Sequence, residues 1–462
     1  MEELQRIREL KDAGRRGEAL ELADRAISGE RTPRRLMALY RTRGYIHRSM
    51  DRPDLAEEDF RAALKLFDGE EGLRDAVLSR RGLALVHYSR PNMGAALAEH
   101  RRELELARRL DDRSILCGTH ANLAHLYVNQ GDFRAAEEHA RQQLSMAAAL
   151  QDSRLMAVAL SNLGRALMFG GRMEKARECF GEQLAMAEEQ GISGPLSSAL
   201  SNLSILEMER GNPEEALNHL QRQLDLARRA GSQQAVSTAL GNMSIAHRRL
   251  GNLRMALDHA REHFRMAWEK SDWMGMTLAL SNMAAVYVNL EDIDRAEQCY
   301  GKLVRNAESG GLRQALAEGL VSLARLEEAL GRGTDAWRHA ERACRLYRAQ
   351  DDPQRELEAC VVALEALAPG AEEAGKLARR AAELEPRDRR LAQLLAVARQ
   401  RHGLGGPGAE ELAETVDDPA ALARLHLLQG RRSQALEAIE AGLGDDPTGT
   451  ELLLLRLSIR RR

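Results

Sequence analysis

LSNLGRALMFGGRMEKARECF, residues 160–180, decides the fold once it is aligned with LSNLSILEMERGNPEEALNHL at 200–220 and LGNMSIAHRRLGNLRMALDHA at 240–260. HANLAHLYVNQGDFRAAEEHA at 120–140 and LSNMAAVYVNLEDIDRAEQCY at 280–300 extend the series in both directions. Asn122, Asn162, Asn202, Asn242 and Asn282 recur at a step of 40 residues, and Ala56, Ala96, Ala136, Ala176, Ala216, Ala256, Ala296 and Ala336 keep the same step. A fixed period of this size is the mark of a stacked repeat architecture. Gly131, Gly171, Gly211, Gly251 and Gly331 mark one turn of the unit, where Glu291 stands in for glycine.

Within a unit the apolar residues fall at helical spacing. Leu163, Ala166 and Leu167 belong to a first helix; Met173, Ala176, Phe180, Leu184 and Ala187 form the stripe of a second. Small residues at Gly44, Ala84, Ala124, Gly164, Ser204, Ser244, Ala284 and Ala324 let the paired helices approach closely. One pair cannot bury its apolar face alone, whereas a stack of pairs can. The expectation is an all-α solenoid of about 12 antiparallel helix pairs, with helices of roughly 15 residues, about 22 Å long.

Composition narrows the function. The 462 residues are 44% hydrophobic but only 3% aromatic, too few aromatics for a typical enzyme core, and no uninterrupted apolar run approaches a membrane span. Basic and acidic residues, 67 against 70, leave a net charge of −3. That balance argues against nucleic acid or an anionic membrane as partner, since both demand a surplus of positive field. Only six of the basic residues are lysine, a bias that points to a GC-rich genome. Five scattered cysteines without a CxxC and no apolar leader give the expectation of a reducing, cytoplasmic setting.

The pattern NLG-x-x-[YL], then G-[DN]-x-x-x-A, then a large apolar residue and a final alanine resembles the tetratricopeptide repeat. The 40-residue period is most similar to the repeats of the LGN/Pins family, and next to those of kinesin light chain. Resemblance is close over about 34–350 and weaker outside it. The chain reads as a degenerate repeat at 1–30, a regular array of eight units at 31–350, shortened repeats at 351–402, and short repeats with a capping helix at 403–462. GLGGPG (403–408) is the one flexible-looking break. The resemblance implies a right-handed superhelix whose concave groove is lined by the first helices. It also implies a non-catalytic adaptor that holds a peptide or helix of another protein. Similar arrays in GC-rich bacteria are attached to signalling NTPases, proteases or kinases, so a recruiting or regulatory subunit of such a system is the implied role.

In that family the second, fifth, sixth, ninth, twelfth and thirteenth positions of the first helix face the groove. The sixth is the asparagine column, Asn122, Asn162, Asn202, Asn242 and Asn282, whose amides complement a peptide unit. The alternative is that each amide only ties neighbouring helices together. The variable positions give an expected apolar patch of Met168, Phe169, Ile205 and Met208 flanked by Arg165, Arg248 and Arg249. It would suit a partner with apolar anchors beside an acidic residue. Trp268, Trp273 and Met274 replace mainly polar residues in their columns and form a candidate second interface or a local repacking. The residues that let chaperone-binding members clamp a carboxylate are missing, as are the Gα-binding motifs of LGN.

Chemistry is scarce. His259-x-x-Glu262-His263 satisfies an inverted zinc-protease string, yet both histidines sit in repeat columns (His139, Cys179, His219, His259, Cys299, His339 for the first), so no metal site and no cofactor is expected. A hydrolase would need Cys117 and His120 or His125 to converge with a carboxylate. A switch closing on a small molecule or signalling peptide is the alternative function, to be recognised by a compact pocket.

Overall fold

The computed structural model describes residues 2–50, 52–90, 92–386, 389–404, 408–446 and 448–461; the break expected within 403–408 lies outside the described residues at 405–407. Among the described residues there are 25 helices and no strand, only an isolated bridge between Asp68 and Glu71. The expected all-α class and the count of helix pairs both hold.

In chain order, α1 (Glu2–Asp12), α2 (Arg16–Gly29), α3 (Pro33–Ser49), α4 (Pro53–Lys65), α5 (Leu73–Ser89) and α6 (Met93–Leu110) open the chain. The regular series is α7 (Arg113–Gln130), α8 (Phe133–Ala149), α9 (Ser153–Phe169), α10 (Met173–Glu189), α11 (Ser193–Glu209) and α12 (Pro213–Arg229). It continues through α13 (Gln233–Arg249), α14 (Leu253–Glu269), α15 (Trp273–Asn289), α16 (Ile293–Ser309), α17 (Arg313–Ala329) and α18 (Gly333–Ala349). Shorter helices follow: α19 (Pro353–Ala366), α20 (Glu372–Glu383), α21 (Arg389–Arg401), α22 (Ala409–Thr415) and α23 (Pro419–Leu428). The last two are α24 (Arg432–Asp445) and α25 (Thr450–Arg461). Odd-numbered helices are the first of each pair, and α25 is left over after twelve pairs. The chain forms two compact units, 1–202 and 203–462, divided inside α11, a division the repeat pattern does not mark.

Turn chemistry sets the helix lengths. In the regular series most helices have 17 residues, slightly longer than expected, or about 25 Å. Asp112, Asp132, Asp152, Asp272 and Asp292 cap helix starts by accepting bonds from backbone N–H groups of the first turn. The turn glycines 131, 171, 211, 251 and 331 all take φ between 73° and 79°, where a side chain is costly. Glu291 takes the same left-handed turn at φ 55° without that freedom.

Packing explains the two most regular columns. All eight alanines from Ala56 to Ala336 are fully buried, so a larger residue there has no space. Phe180 is fully buried against Gly164, where an added Cβ would lie 2.3 Å from the ring. Gly44 meets Phe60 in the same way at 2.8 Å.

Candidate functional site

In the first unit one face of α9 carries Arg154, Val158, Ser161, Asn162, Arg165 and Phe169, at steps of three or four residues apart from the Ser161–Asn162 pair. Beside its start lies an open cleft of about 610 Å³, lined among others by Arg154, Val158, Ser161, Gln183, Pro195 and Ser198. Small residues at the second and fifth positions leave that space. Val158 is exposed, while the buried Gln183 donates through Nε2 to the carbonyl of Pro195 at 3.2 Å.

At the other end of the face, Arg165 is half-buried. Its Nη1 lies 3.2 Å from His125 Nδ1, and His125 in turn meets the Tyr88 hydroxyl at 3.1 Å and Asn129 Nδ2 at 3.2 Å. Burial lowers the Arg165 guanidinium from its usual range, opposed only by Tyr88; burial and then Arg165 lower His125. Among the described residues no carboxylate pairs with Arg165. A half-buried cation whose hydrogen-bond partner is a single imidazole is costly in the free protein and favours an incoming anion. One turn further on, Phe169 is 49% exposed and stacks on Phe133 with ring centres 6.2 Å apart.

The asparagine column is tied into the stack. Asn162 Nδ2 donates to Gln143 Oε1 at 2.9 Å, Asn202 Nδ2 to Ser161 Oγ at 2.8 Å, and Asn282 Nδ2 to the carbonyl of Gly241 at 3.2 Å. Asn242 is half-buried and is not free, whereas Asn122 is half-buried on α7. Each bonded amide reaches into the preceding repeat and keeps its carbonyl oxygen and a second N–H for other partners.

The expected apolar patch is corrected. Met168 and Met208 are 3% and 5% exposed, packed inside their units and not presented as anchors. Ile205 is half-buried against the cluster around Leu220 and Leu240. Arg248 and Arg249 are also committed. Arg248 Nη1 donates to the carbonyl of Thr448 at 2.7 Å, and Arg249 bonds the carbonyl of Met208 and pairs with Glu209 at 3.2 Å. In the second unit Trp268, Trp273 and Met274 are exposed by 65%, 40% and 46%. Trp268 stacks on Phe264, and Trp273 covers Gly310, where a Cβ would lie 2.7 Å from its own, so part of this surface is local packing.

Family models described as the tetratricopeptide repeat match residues 119–154, 159–192 and 195–267. The chain is a tetratricopeptide-repeat protein. A crystal structure of a Rap protein complexed with Competence and Sporulation Factor has a TM-score of 0.53 at 14% identity, over 76% of this chain and 98% of that one. The apo form of the quorum sensor NprR from B. thuringiensis has a TM-score of 0.51 at 15% identity, over 74% of this chain and 97% of that one. At such identities these likenesses show the fold. No curated protein sequence matches the chain. The tetratricopeptide-repeat fold is that of an interaction scaffold.

Within this tetratricopeptide-repeat protein the candidate chemistries do not assemble. Cys117 is buried with its thiol 3.7 Å from the carbonyl of Gln143, and burial pushes that thiol up. His120 Nδ1 faces His139 Nδ1 at 2.9 Å, and neither it nor His125 meets a carboxylate. His259 stacks on His247 with ring centres 5.2 Å apart. Among the described residues no group of three or more His, Cys, Asp or Glu comes together as a metal site, and no helix is long and apolar enough to cross a membrane.

The charged cluster around α25 went unforeseen. Glu451 pairs through Oε1 with Arg424 at 3.0 Å and through Oε2 with Arg390, while Arg424 also holds Glu365 at 2.6 Å. Burial pushes Glu451 up, but Arg325, Arg424 and Arg390 outweigh it and hold the carboxylate at about 2. A signal was present in the sequence: LLLL at 452–455 is apolar around the whole circumference of a helix, which a capping helix has no need to be.

Proposed function

We propose that this protein is a non-catalytic adaptor whose first unit binds an extended segment of a partner protein along the face of α9. The carrying observation is Arg165, half-buried and without a carboxylate, one turn from the exposed ring of Phe169. A partner residue Asp or Glu next to a large apolar side chain satisfies both. The amide oxygen and second N–H that Asn162 keeps, and the amide of Asn122, would hold the partner's main chain with little regard to its sequence. The Rap protein of the same fold is complexed with Competence and Sporulation Factor, in keeping with a bound ligand on such a scaffold. A regulatory or recruiting subunit of a bacterial signalling or effector system is the setting in which such an adaptor acts. The near-neutral charge balance speaks against nucleic acid and membrane as partners.

A second reading, a switch responding to a small molecule or signalling peptide, is supported by the cleft beside Val158, whose volume is within the range of small-ligand pockets. Fluorescence-anisotropy titration with two degenerate peptide pools, identical except for Asp or Asn beside a leucine, separates the readings. The Asp pool should bind about tenfold more tightly, a difference of about 1.4 kcal/mol, and Arg165→Gln should erase the preference. Phe169→Ala should weaken both pools. Equal binding of the two pools, or a preference that survives Arg165→Gln, overturns the acidic-segment reading.

A further inference from the structure

We infer that the first-helix face of the second unit is a helix-binding surface whose resident occupant is the chain's own α25. The partner it fits is a leucine-faced helix with an acidic first turn and a basic last turn. The inference stands on the second unit alone and does not depend on the α9 face binding anything.

A terminal cap covers the open end of a stack and turns a polar face outward. α25 does neither. Leu453, Leu454, Leu455 and Ile459 are 8%, 4%, 5% and 2% exposed, although consecutive residues point about 100° apart on a helix, so α25 is covered from several sides. The cover comes from far along the chain: α25 packs on α15 and α17 as well as on α23 and α24. Leu454 and Leu455 lie with Arg325 of α17, Val362 of α19 and Arg424 of α23, while Leu453 and Leu457 lie with Val288 of α15. These contributors belong to first helices, and in the repeat register Arg325 stands in the column of Arg165. In the first unit that column's guanidinium lacks a carboxylate. In the second unit Glu451 of α25 lines the same small cavity as Arg325. The occupied face therefore shows what the repeat does with a helical ligand.

Both ends of α25 are held by charge. At its start, Arg424 and Arg390 grip the two oxygens of Glu451, and Arg248 bonds the carbonyl of Thr448 just before the helix. At its end, Arg456 and Arg460 reach Glu291 at 3.5 and 3.3 Å. Glu291 is the residue that replaces glycine in the turn column and holds φ at 55° despite its side chain. Other turns hold a side chain at a similar φ (Gln151, Ser271, Asp351), so what sets Glu291 apart is that its carboxylate meets the basic end of α25. A partner helix with the same pattern would meet the same residues, and the covalent tether makes α25 its competitor through high effective concentration.

Hydrogen–deuterium exchange on the unmodified full chain tests whether α25 releases. Amides of 450–461 should exchange at least about tenfold faster than those of α17, reporting opening of α25 while its seat stays folded. Exchange of α25 in step with α17 would make it a fixed part of the core and overturn the inference. Binding of a fluorescein-labelled synthetic peptide of residues 446–461 provides the second arm. Full-chain Glu451→Arg, with its own helix repelled by Arg424 and Arg390, should bind that peptide at least about tenfold more tightly than the unmodified chain. The peptide carrying Glu451→Arg should bind neither. Failure of the variant to bind the unmodified peptide while α15 and α17 stay protected from exchange would equally overturn it.

Discussion

His120 and His139 share one hydrogen bond through their Nδ1 atoms at 2.9 Å, so one ring donates, the other accepts, and the two cannot both be protonated. Burial lowers both, His120 to about 4, with His139 adding to the shift of His120 and the nearby arginines to that of His139. The folded pKa of His120 thus lies below the ordinary value near 6.5, and the unfolded chain takes up the proton first as pH falls. The pair's contribution to stability is complete above about pH 6.5 and is lost as pH drops toward 4. Urea-unfolding midpoints should therefore fall between pH 7 and pH 5, and fall less in His120→Gln. An identical drop in the variant would show that other groups carry the acid sensitivity. The contrast with Arg165 is instructive at this scale: the histidines are matched to each other, whereas the guanidinium lacks a partner of opposite charge.

At the scale of the helix, close approach governs sequence choice. Gly164 lies under Phe180, and an added Cβ would sit 2.3, 2.7 and 2.8 Å from three ring carbons. Gly164→Ala gains about 1 kcal/mol in helix propensity. Overpacking costs about 1–3 kcal/mol, and with Phe180 fully buried the ring cannot swing into solvent, so the cost wins. The single variant should be destabilised by up to about 2 kcal/mol in urea unfolding, and Gly164→Ala/Phe180→Leu should recover part of the loss. A stabilised single variant would mean the pair is looser than its packing indicates. The helices themselves were legible in the sequence because each condition for them is local: aspartate caps, turn glycines and a stripe at helical spacing all recur within 40 residues. The fate of the side chains was less so. Met168 and Met208 stand where the resemblance implies a groove position, yet face inward like Val128 and Val288 of their column, since periodicity alone does not tell a groove residue from a core residue one position away. α25 was read as a cap because its partners, Glu291 and Arg248, lie some two hundred residues or slightly fewer upstream, and no local pattern announces them.

Over the whole chain the two units differ in what their first-helix faces hold. In the second unit the face is filled by α25 and its charges are paired. In the first, α9 presents an open cleft, an exposed phenylalanine and a guanidinium with no carboxylate. The repeat thus specifies a scaffold, and under the proposed reading departures from the repeat select the ligand. The arrangement of the array was readable from its period, whereas the site depends on which variable positions remain unmatched after folding, a property of the packed structure. The most direct test of this account is an unbiased peptide-display selection on the immobilised full chain, repeated on Arg165→Ala. The account predicts a consensus of Asp or Glu beside a large apolar residue in the first selection and its loss in the second. A consensus without an acidic residue, or the same acidic consensus from the variant, would contradict it.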